Sequence, residues 1–326
     1  MNIAIVILNW NGKQLLEQFL PSIVKYSKGA SIYVADNAST DDSVNFLRTS
    51  YPDVKIIKNP TNGGYAKGYN DSLQSINADV YCLLNSDIEV TNNWLTPIIK
   101  EFKTNSKIAA IQPKILDYKN KSVFEYAGAA GGFIDKYGYP YCRGRRFTTI
   151  EKDTGQYNDI IDVFWASGAC LFVKSNIYHE LNGFDEDYFA HQEEIDLCWR
   201  IQNKNYLIKY VGNSTVFHVG GATLATQNPK KTFLNFRNSL FNLVKNSPKN
   251  KGFSLIFTRL LLDGLAGVKF LLELKPLHTI AIIKSHFSFY WYLPKMLKKR
   301  RSKKYKKDYY QIKSIVWNYF IKGLKK

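Results

Sequence analysis

Apolar residues fall along the first third of the chain in short unbroken runs, and a polar cluster ends most of them. Residues 3–8 are continuously apolar, which predicts a strand buried on both faces. Leu15, Leu16, Phe19, Leu20, Ile23 and Val24 then recur at helical spacing and predict a helix over 15–26. The alternation continues with strands over 31–35, 54–58, 80–84 and 109–113 and helices over 43–49, 65–76 and 94–103. The polar cluster from Asp36 to Asp42 supplies the cap of the helix at 43. Strands alternating with helices predict an α/β fold, a mostly parallel sheet flanked by helices on both faces.

In such sheets ligands bind beyond the carboxyl ends of the strands. The polar clusters lie at those ends: Asn9-Trp10-Asn11, Asp36-Asn37, Asn62-Gly63-Gly64 and Asn85-Ser86-Asp87. Four loops are therefore expected to converge on one crevice. Residues 117–162, rich in Gly, Tyr and Arg, read as loops or a small hairpin over it, and 163–174 as an apolar strand interrupted at Ser167-Gly168. Residues 253–274 alternate apolar blocks with single charges in an amphipathic helical pattern. Residues 285–294 are rich in aromatics and 295–307 intensely basic. The chain thus divides into a domain over 1–244 and a helical basic extension over 245–326.

Charge sharpens that division. Of the net +18, the extension carries 20 basic against 3 acidic residues, while the remainder holds 25 against 24. A nearly neutral body bears a tail that seeks a polyanion. No helix-turn-helix, RNA-recognition or zinc pattern accompanies the charge, which disfavours nucleic acid. Apolar and aromatic surface beside a basic run suits an in-plane helix on an anionic bilayer. The other reading has the helices pack on the body and the basic run merely solvated. No run reaches the roughly 18–20 uncharged apolar residues that span a bilayer. Residues 1–8 read as a buried strand and not as a signal peptide. The expected location is the cytoplasm, peripheral at the inner face of the membrane. The four cysteines show no CxxC spacing, so neither a zinc site nor a redox pair is signalled.

Neither G-x-G-x-x-G nor a P-loop pattern occurs, which disfavours a dinucleotide dehydrogenase and a P-loop NTPase. Asp36 is placed to accept from the ring N–H of a uracil or thymine, although a turn and helix cap would use it equally. Asn62, Gly64, Lys67 and Asn70 offer backbone N–H groups and a cation beside a helix start, which suits phosphate or ribose, although an ordinary Asn-Gly turn accounts for the motif taken alone. Asp87 can hold a hard divalent cation, and His218 paired with it would leave open positions for a diphosphate, although a solvated strand end and a satisfied core histidine account for the same two residues. Ile195, Cys198 and Ile201 keep helical spacing, which puts Glu193 and Glu194 in a first turn against apolar surface. Asp196 and Arg200, four apart, are expected to pair across that helix. Glu193 and Glu194 remain as candidate bases.

The motifs together resemble the family 2 glycosyltransferases of the GT-A fold, in particular the bacterial rhamnosyltransferase-type enzymes of cell-surface polysaccharide. The likeness rests on Ile7-Leu-Asn-Trp-Asn-Gly12, Ala35-Asp-Asn-Ala-Ser-Thr-Asp41, Asn62-Gly-Gly-Tyr-Ala-Lys-Gly-Tyr-Asn70 and Leu84-Asn-Ser-Asp-Ile88. It continues through Trp165-Ala-Ser-Gly-Ala-Cys170, Gly183-Phe-Asp-Glu186, Glu193-Glu-Ile-Asp-Leu197 and His218-Val-Gly-Gly221, and covers about residues 2–237. The resemblance implies that Asn9, Asn11, Asp36, Asn85 and Ser86 hold a nucleotide sugar, dTDP-L-rhamnose or a UDP-sugar. It implies that Asn85-Ser86-Asp87 stands for the family's D-x-D, with Asp87 and His218 on Mg²⁺ or Mn²⁺. Glu194 takes the place of the catalytic base, and Trp165, Ser167 and Gly168 border the acceptor, a glycan or polyprenyl-linked hydroxyl. The chain departs from the family pattern at Asn85, where D-x-D has its first acid, and at Glu194, where the base is Asp. The alternative from another class is a catalytically inactive sugar-nucleotide-binding scaffold of a polysaccharide assembly complex.

Overall fold

The computed structural model describes residues 1–220, 228–248, 252–300 and 305–325. Gly221 of the His218 motif and residues 301–304 of the basic run lie outside the described residues.

The expected alternation is present. It runs β1 (Ile3–Asn9), α1 (Lys13–Tyr26), β2 (Ser31–Asp36), α2 (Ser43–Ser50), β3 (Lys55–Lys58), α3 (Gly64–Leu73), β4 (Val80–Asn85), β5 (Ile88–Val90), α4 (Leu95–Thr104) and β6 (Ile108–Asp117). Four short strands follow: β7 (Gly132–Ile134), β8 (Pro140–Cys142), β9 (Arg145–Arg146) and β10 (Thr149–Ile150). They form a small antiparallel sheet where loops or a hairpin were expected. Next come β11 (Ile160–Asp162), β12 (Cys170–Lys174), α5 (Ser175–Glu180), α6 (Glu193–Asn203) and β13 (Leu207–His218). Three long helices follow, α7 (Pro229–Asn246), α8 (Gly252–Leu272) and α9 (Pro276–Lys298), and a short helical turn at Trp317–Ile321 comes after them.

The main sheet has the order β11-β13-β6-β12-β4-β1-β2-β3, with β5 also paired to β13. β1, β2, β3, β4, β6 and β13 point one way, and β12 runs against both of its neighbours. Alternate residues of each strand supply two cores. Ile3, Ile5 and Ile7 pack with Leu16 and Leu20 of α1, Leu47 of α2 and Ile98 and Phe102 of α4. Ala4 and Val6 face the other side, with Tyr69 of α3, Tyr178 of α5 and Trp199 of α6. Each fully buried large apolar side chain contributes roughly 1.5–3 kcal/mol, so continuous burial on both faces makes these strands rigid. Rigid strands fix the positions of the loops at their ends.

Two boundaries differ from the expectation. β6 continues past Pro113, the expected strand end, although proline lacks a ladder N–H. β13 shifts register between Val211 and Thr215 opposite that proline, which absorbs the missing bond. The strand expected over 163–174 is confined to Cys170–Lys174. Ser167 N–H donates to the buried Gln112 Oε1 at 2.8 Å, and Trp165 makes an isolated bridge to Gly132, so the segment before Cys170 leaves the sheet.

Helix α7 runs across residue 244, and its buried residues face both the body and α9. Arg259 of α8 lies over the Tyr139 ring at 3.7 Å, pairs with Asp263 at 2.7 Å and donates to Tyr137 O at 3.1 Å. Farther along, Tyr309 and Ile315 join the main core, and Ile315 N–H donates to Asp135 at 2.9 Å. Among the described residues no helix is long and apolar enough to cross a membrane.

Candidate active site

The parallel strands bring the expected polar clusters to one end of the sheet. Asn9 and Asp36 lie opposite each other at the ends of β1 and β2, and Asn85 of β4 lies opposite Leu8. Asp36 is buried, and its two oxygens accept from Asn9 Nδ2 at 3.3 Å and from Ser39 N–H at 3.2 Å. A carboxylate has about four acceptor positions, so Asp36 retains capacity for a ligand N–H. Asn11, in the left-handed region at φ 51°, accepts from Thr40 N–H at 2.7 Å and locks the first loop to the second. Asn37 Nδ2 donates to Asn62 Oδ1 at 2.9 Å, and Asn62 Oδ1 accepts from Gly64 N–H at 3.0 Å, which ties in the third loop. Gly64 has φ 77°, and a Cβ there would lie 2.7 Å from Phe189 O, so only glycine fits. A Cβ on Gly12 would lie 2.5 Å from Asn9 Oδ1 and 3.9 Å from Ser86 Oγ, which puts the first and fourth loops side by side.

Next to Asn85 the structure assembles a buried charged group. His218 Nε2 lies 3.1 Å from Asp87 Oδ1 and 3.3 Å from Asn85 Nδ2, and Nδ1 lies 3.4 Å from Glu125 Oε1. The pairing of β13 with β5 sets this contact, because His218 sits opposite Ile88, the residue after Asp87. Burial works against a charge on His218, yet Asp87 and Glu125 on either side hold its pKa up to about 10. Glu125 was not expected from the sequence. It lies in the irregular middle, and its only signal was an acid between Phe124 and Tyr126.

Glu193 and Glu194 open α6 as expected. Glu193 is buried, with Oε2 unpartnered among the described residues, while Glu194 is half-buried. A Cβ on Gly168 would lie 3.0 Å from Tyr65 Oη and 3.8 Å from Glu194 Cγ, so Glu194 borders the Ser167-Gly168 turn. That turn leads directly to the fourth loop, since Asn85 N–H donates to Ala169 O at 3.0 Å. Tyr65 donates to Gly168 O at 2.7 Å, and burial pushes its hydroxyl well above the usual tyrosine range. Burial also raises Glu194 to about 7, against backbone N–H groups that favour its charge. Glu193 is likewise pushed well up by burial and by Glu194 beside it.

The turn before these glutamates is strained. Phe189, His191 and Gln192 have φ of 63°, 68° and 74°. Left-handed non-glycine residues cost about 1–3 kcal/mol each and persist where the surroundings over-determine them. Here α7 does so. Asn238 Nδ2 donates to the carbonyls of Tyr188, Ala190 and His191, Arg237 to those of Asp187 and Tyr188, and Asn242 to that of Gln192. Sequence reasoning missed this polar stripe, because Arg237, Asn238 and Asn242 are three of many polar residues in this helix.

The family model described as Glycosyl transferase family 2 matches residues 4–168, half of the chain. The chain belongs to this family. It is a glycosyltransferase, and rhamnosyltransferases are among its relatives. It is 25% identical over 233 residues to the N-acetylglucosaminyl-diphospho-decaprenol L-rhamnosyltransferase of Mycobacterium tuberculosis, covering 66% of this chain and 75% of the relative. Among solved structures it is similar to S. aureus TarS 1-349 in complex with UDP-GlcNAc, with a TM-score of 0.59 at 12% identity over 92% of this chain and 84% of that one. It is also similar to a mannosyltransferase from Pyrobaculum calidifontis in complex with GDP-Man and Mn²⁺, with a TM-score of 0.56 at 13% identity, covering 89% and 87% of the two chains. These likenesses establish the GT-A fold.

Three residues expected to line the glycosyltransferase crevice are engaged elsewhere. Lys67 pairs with Asp71 at 2.9 Å, one turn along α3. Asn70 accepts from Tyr178 Oη at 2.7 Å and Phe184 N–H at 2.9 Å and donates to Phe184 O at 2.9 Å, so it braces the loop that leads to the glutamates. Trp165 is 3% exposed, packs against Gly132 and donates its indole N–H to Phe133 O at 2.8 Å. It belongs to the core beneath the small sheet, a correction to its expected place beside an acceptor. The expected Asp196–Arg200 pair is present at 2.8 Å, and Lys245 of α7 joins Asp196 at 2.8 Å.

Proposed function

We propose that this glycosyltransferase inverts the sugar configuration in one displacement. The sugar would pass from dTDP-L-rhamnose or a UDP-sugar to a hydroxyl of a glycan or lipid-linked acceptor in cell-surface polysaccharide synthesis. The observation that carries the reading is the corner where Asn85 touches both the Asp87–His218 pair and the Gly168 turn beside Glu194. A relative that transfers L-rhamnose to a diphospho-decaprenol-linked sugar supports the donor and acceptor classes.

In this mechanism Asp36 and Asn9 hold the base, and Asn85 and Ser86 lie beneath the diphosphate. Glu194 accepts the proton of the acceptor hydroxyl as its oxygen bonds to the anomeric carbon. The bond from that carbon to the diphosphate oxygen breaks, and the electron pair leaves with the nucleotide. The residues present fit Mg²⁺ or Mn²⁺ once His218 Nε2 gives up the proton it shares with Asp87: the two groups are 3.1 Å apart, and Glu125 stands behind Nδ1 to orient the ring. Among the described residues no group of three or more His, Cys, Asp or Glu could hold a metal. Asp87 and His218 would therefore share the ion with diphosphate oxygens and water, the usual Mg²⁺ arrangement. The ion when bound neutralises the charge of the departing diphosphate.

An anionic membrane is the proposed surface on which the enzyme meets its acceptor. Phe257, Leu261, Leu265, Val268 and Leu272 form an exposed stripe along α8, and Leu277, Ile280, Ile283, Phe287 and Trp291 form another along α9. Leu272 and Trp291 are 81% and 84% exposed. Patches of this kind mark interaction sites, and the charge of the extension selects an anionic partner.

A screen of UDP- and dTDP-sugars with Mg²⁺ and Mn²⁺ tests the reading. Thermal stabilisation by a donor, with its slow metal-dependent hydrolysis, is the expected result. Stabilisation without any hydrolysis or transfer would favour the scaffold reading instead.

A further inference from the structure

Arg145 of β9 is 9% exposed, and no carboxylate lies within ion-pair distance of it among the described residues. Its Nε is buried and unpartnered, and among the described residues its one hydrogen bond runs from Nη2 to Cys142 Sγ at 3.7 Å. A guanidinium stays charged at any pH the protein meets, and burying it without an anion is costly. The Tyr126 ring, 4.3 Å from its Cζ, offsets part of that cost. Arg143, in the turn before β9, does not share this state, since it forks onto Asp159 at 2.8 and 2.6 Å.

Arg145 also lies beside the site. It pairs with Cys142 across β8 and β9, Cys142 pairs with Gly132, and Gly132 bridges to Trp165 just before the Ser167-Gly168 turn; on its other side is the ring of Tyr126, the residue after Glu125. Lys231, in the first turn of α7, lies within reach of Glu125, and the described residues give it no ion pair. Glu125 has His218 at 3.4 Å, while its neighbour Tyr126 carries Arg145 on its ring at 4.3 Å. The donor's diphosphate is assigned to the His218 side. A second anion is left for Arg145.

We propose that Arg145 is the anion subsite of the acceptor, its guanidinium fork gripping a phosphate of a diphosphate-linked acceptor while Glu194 meets the acceptor's hydroxyl. The inference deepens the function proposed above and rests on it. Bidentate guanidinium–phosphate recognition positions as well as binds, so this residue would select diphosphate-linked over neutral acceptors.

Calorimetric titration of the full chain with farnesyl diphosphate and, separately, with dTDP tests the assignment in wild type, Arg145→Gln and Arg145→Lys. Arg145→Gln is expected to weaken farnesyl diphosphate by about 10–100-fold and to leave dTDP within about twofold, since only one charge-assisted contact is lost. Arg145→Lys keeps the charge and stem but not the fork, and is expected to fall between the two. Unchanged farnesyl diphosphate affinity in either folded variant overturns the proposal. So does parallel weakening of dTDP, which would give the guanidinium to the donor. A wild type that binds dTDP but no farnesyl diphosphate sinks the acceptor subsite alone, whereas one that binds no nucleotide sinks the function beneath it.

Discussion

Glu194 stands under two opposed influences, burial that favours its neutral form and helix N–H groups that favour its charge. Burial prevails, so its proton is lost near pH 7 and not near the ordinary carboxylate value. A general base must be ionised before it can act, so kcat/KM should fall as pH drops through about 7 and level off above it. A profile flat from pH 5.5 to 8 would contradict the assignment. The Glu125 contact to His218 gives a second expectation at this scale. Glu125→Gln should weaken Mn²⁺ binding by about 10–100-fold without unfolding the protein, measured by metal titration in the presence of dTDP. Equal Mn²⁺ affinity would leave Glu125 without a positioning role. Asn9, Asp36, Asn85 and Asp87 were legible in the sequence because each closes an apolar strand, and strand ends in a parallel sheet have a known destination. Glu125 and Arg145 were not legible. They sit on short irregular strands and loops, where no periodicity says which side chains turn inward. Lys67 and Asn70 read as ligand groups by spacing, yet a helical neighbour and a nearby loop satisfy them first.

At the level of elements, the alternating runs specified the sheet because burial on both faces leaves few other arrangements for 3–8 or 80–84. The break before Cys170 and the extension of β6 past Pro113 depended on partners far along the chain, Gln112 and the irregularity in β13, which local pattern does not reveal. The same holds for α7. Its Asn238 holds three carbonyls of the strained turn that presents the glutamates. Asn238→Ala should therefore lower kcat by about 10–100-fold while donor KM changes little, because small misplacements of a catalytic group carry costs of that order. A rise in donor KM with kcat intact would move Asn238 out of this role. Asp196, held by Arg200 and Lys245, anchors the other end of the arrangement. Removing it in Asp196→Ala takes the carboxylate from Arg200 and one of two from Lys245, which keeps Asp185, and should cost about 3–5 kcal/mol in urea unfolding. A loss below 1 kcal/mol would show that the cations find other partners.

Across the whole molecule, the basic extension divides its charge between inside and outside. Lys245 and Lys299 both pair with Asp185, and Lys295 and Lys299 pair with Asp187, just ahead of the strained turn. Part of the tail's charge therefore fastens α9 to the catalytic body, which the composition could not distinguish from charge meant for a partner. Deleting the extension would also remove Tyr309 and Ile315 from the core, so the membrane proposal is tested by surface changes. Replacing Leu261, Leu265, Leu272 and Trp291 with Ser should reduce flotation with anionic liposomes and spare transfer to a short soluble acceptor. Unchanged flotation would remove the apolar stripes from the account. The fold, the paired cores and the α7 brace all serve one arrangement, a carboxylate held beside a diphosphate cradle. Its most direct test is the rate of sugar transfer by Glu194→Gln, with donor binding measured on the same preparation. Donor affinity within about twofold of wild type and transfer lower by about 10²–10⁴-fold is the expected result. Transfer within a few-fold of wild type would contradict it.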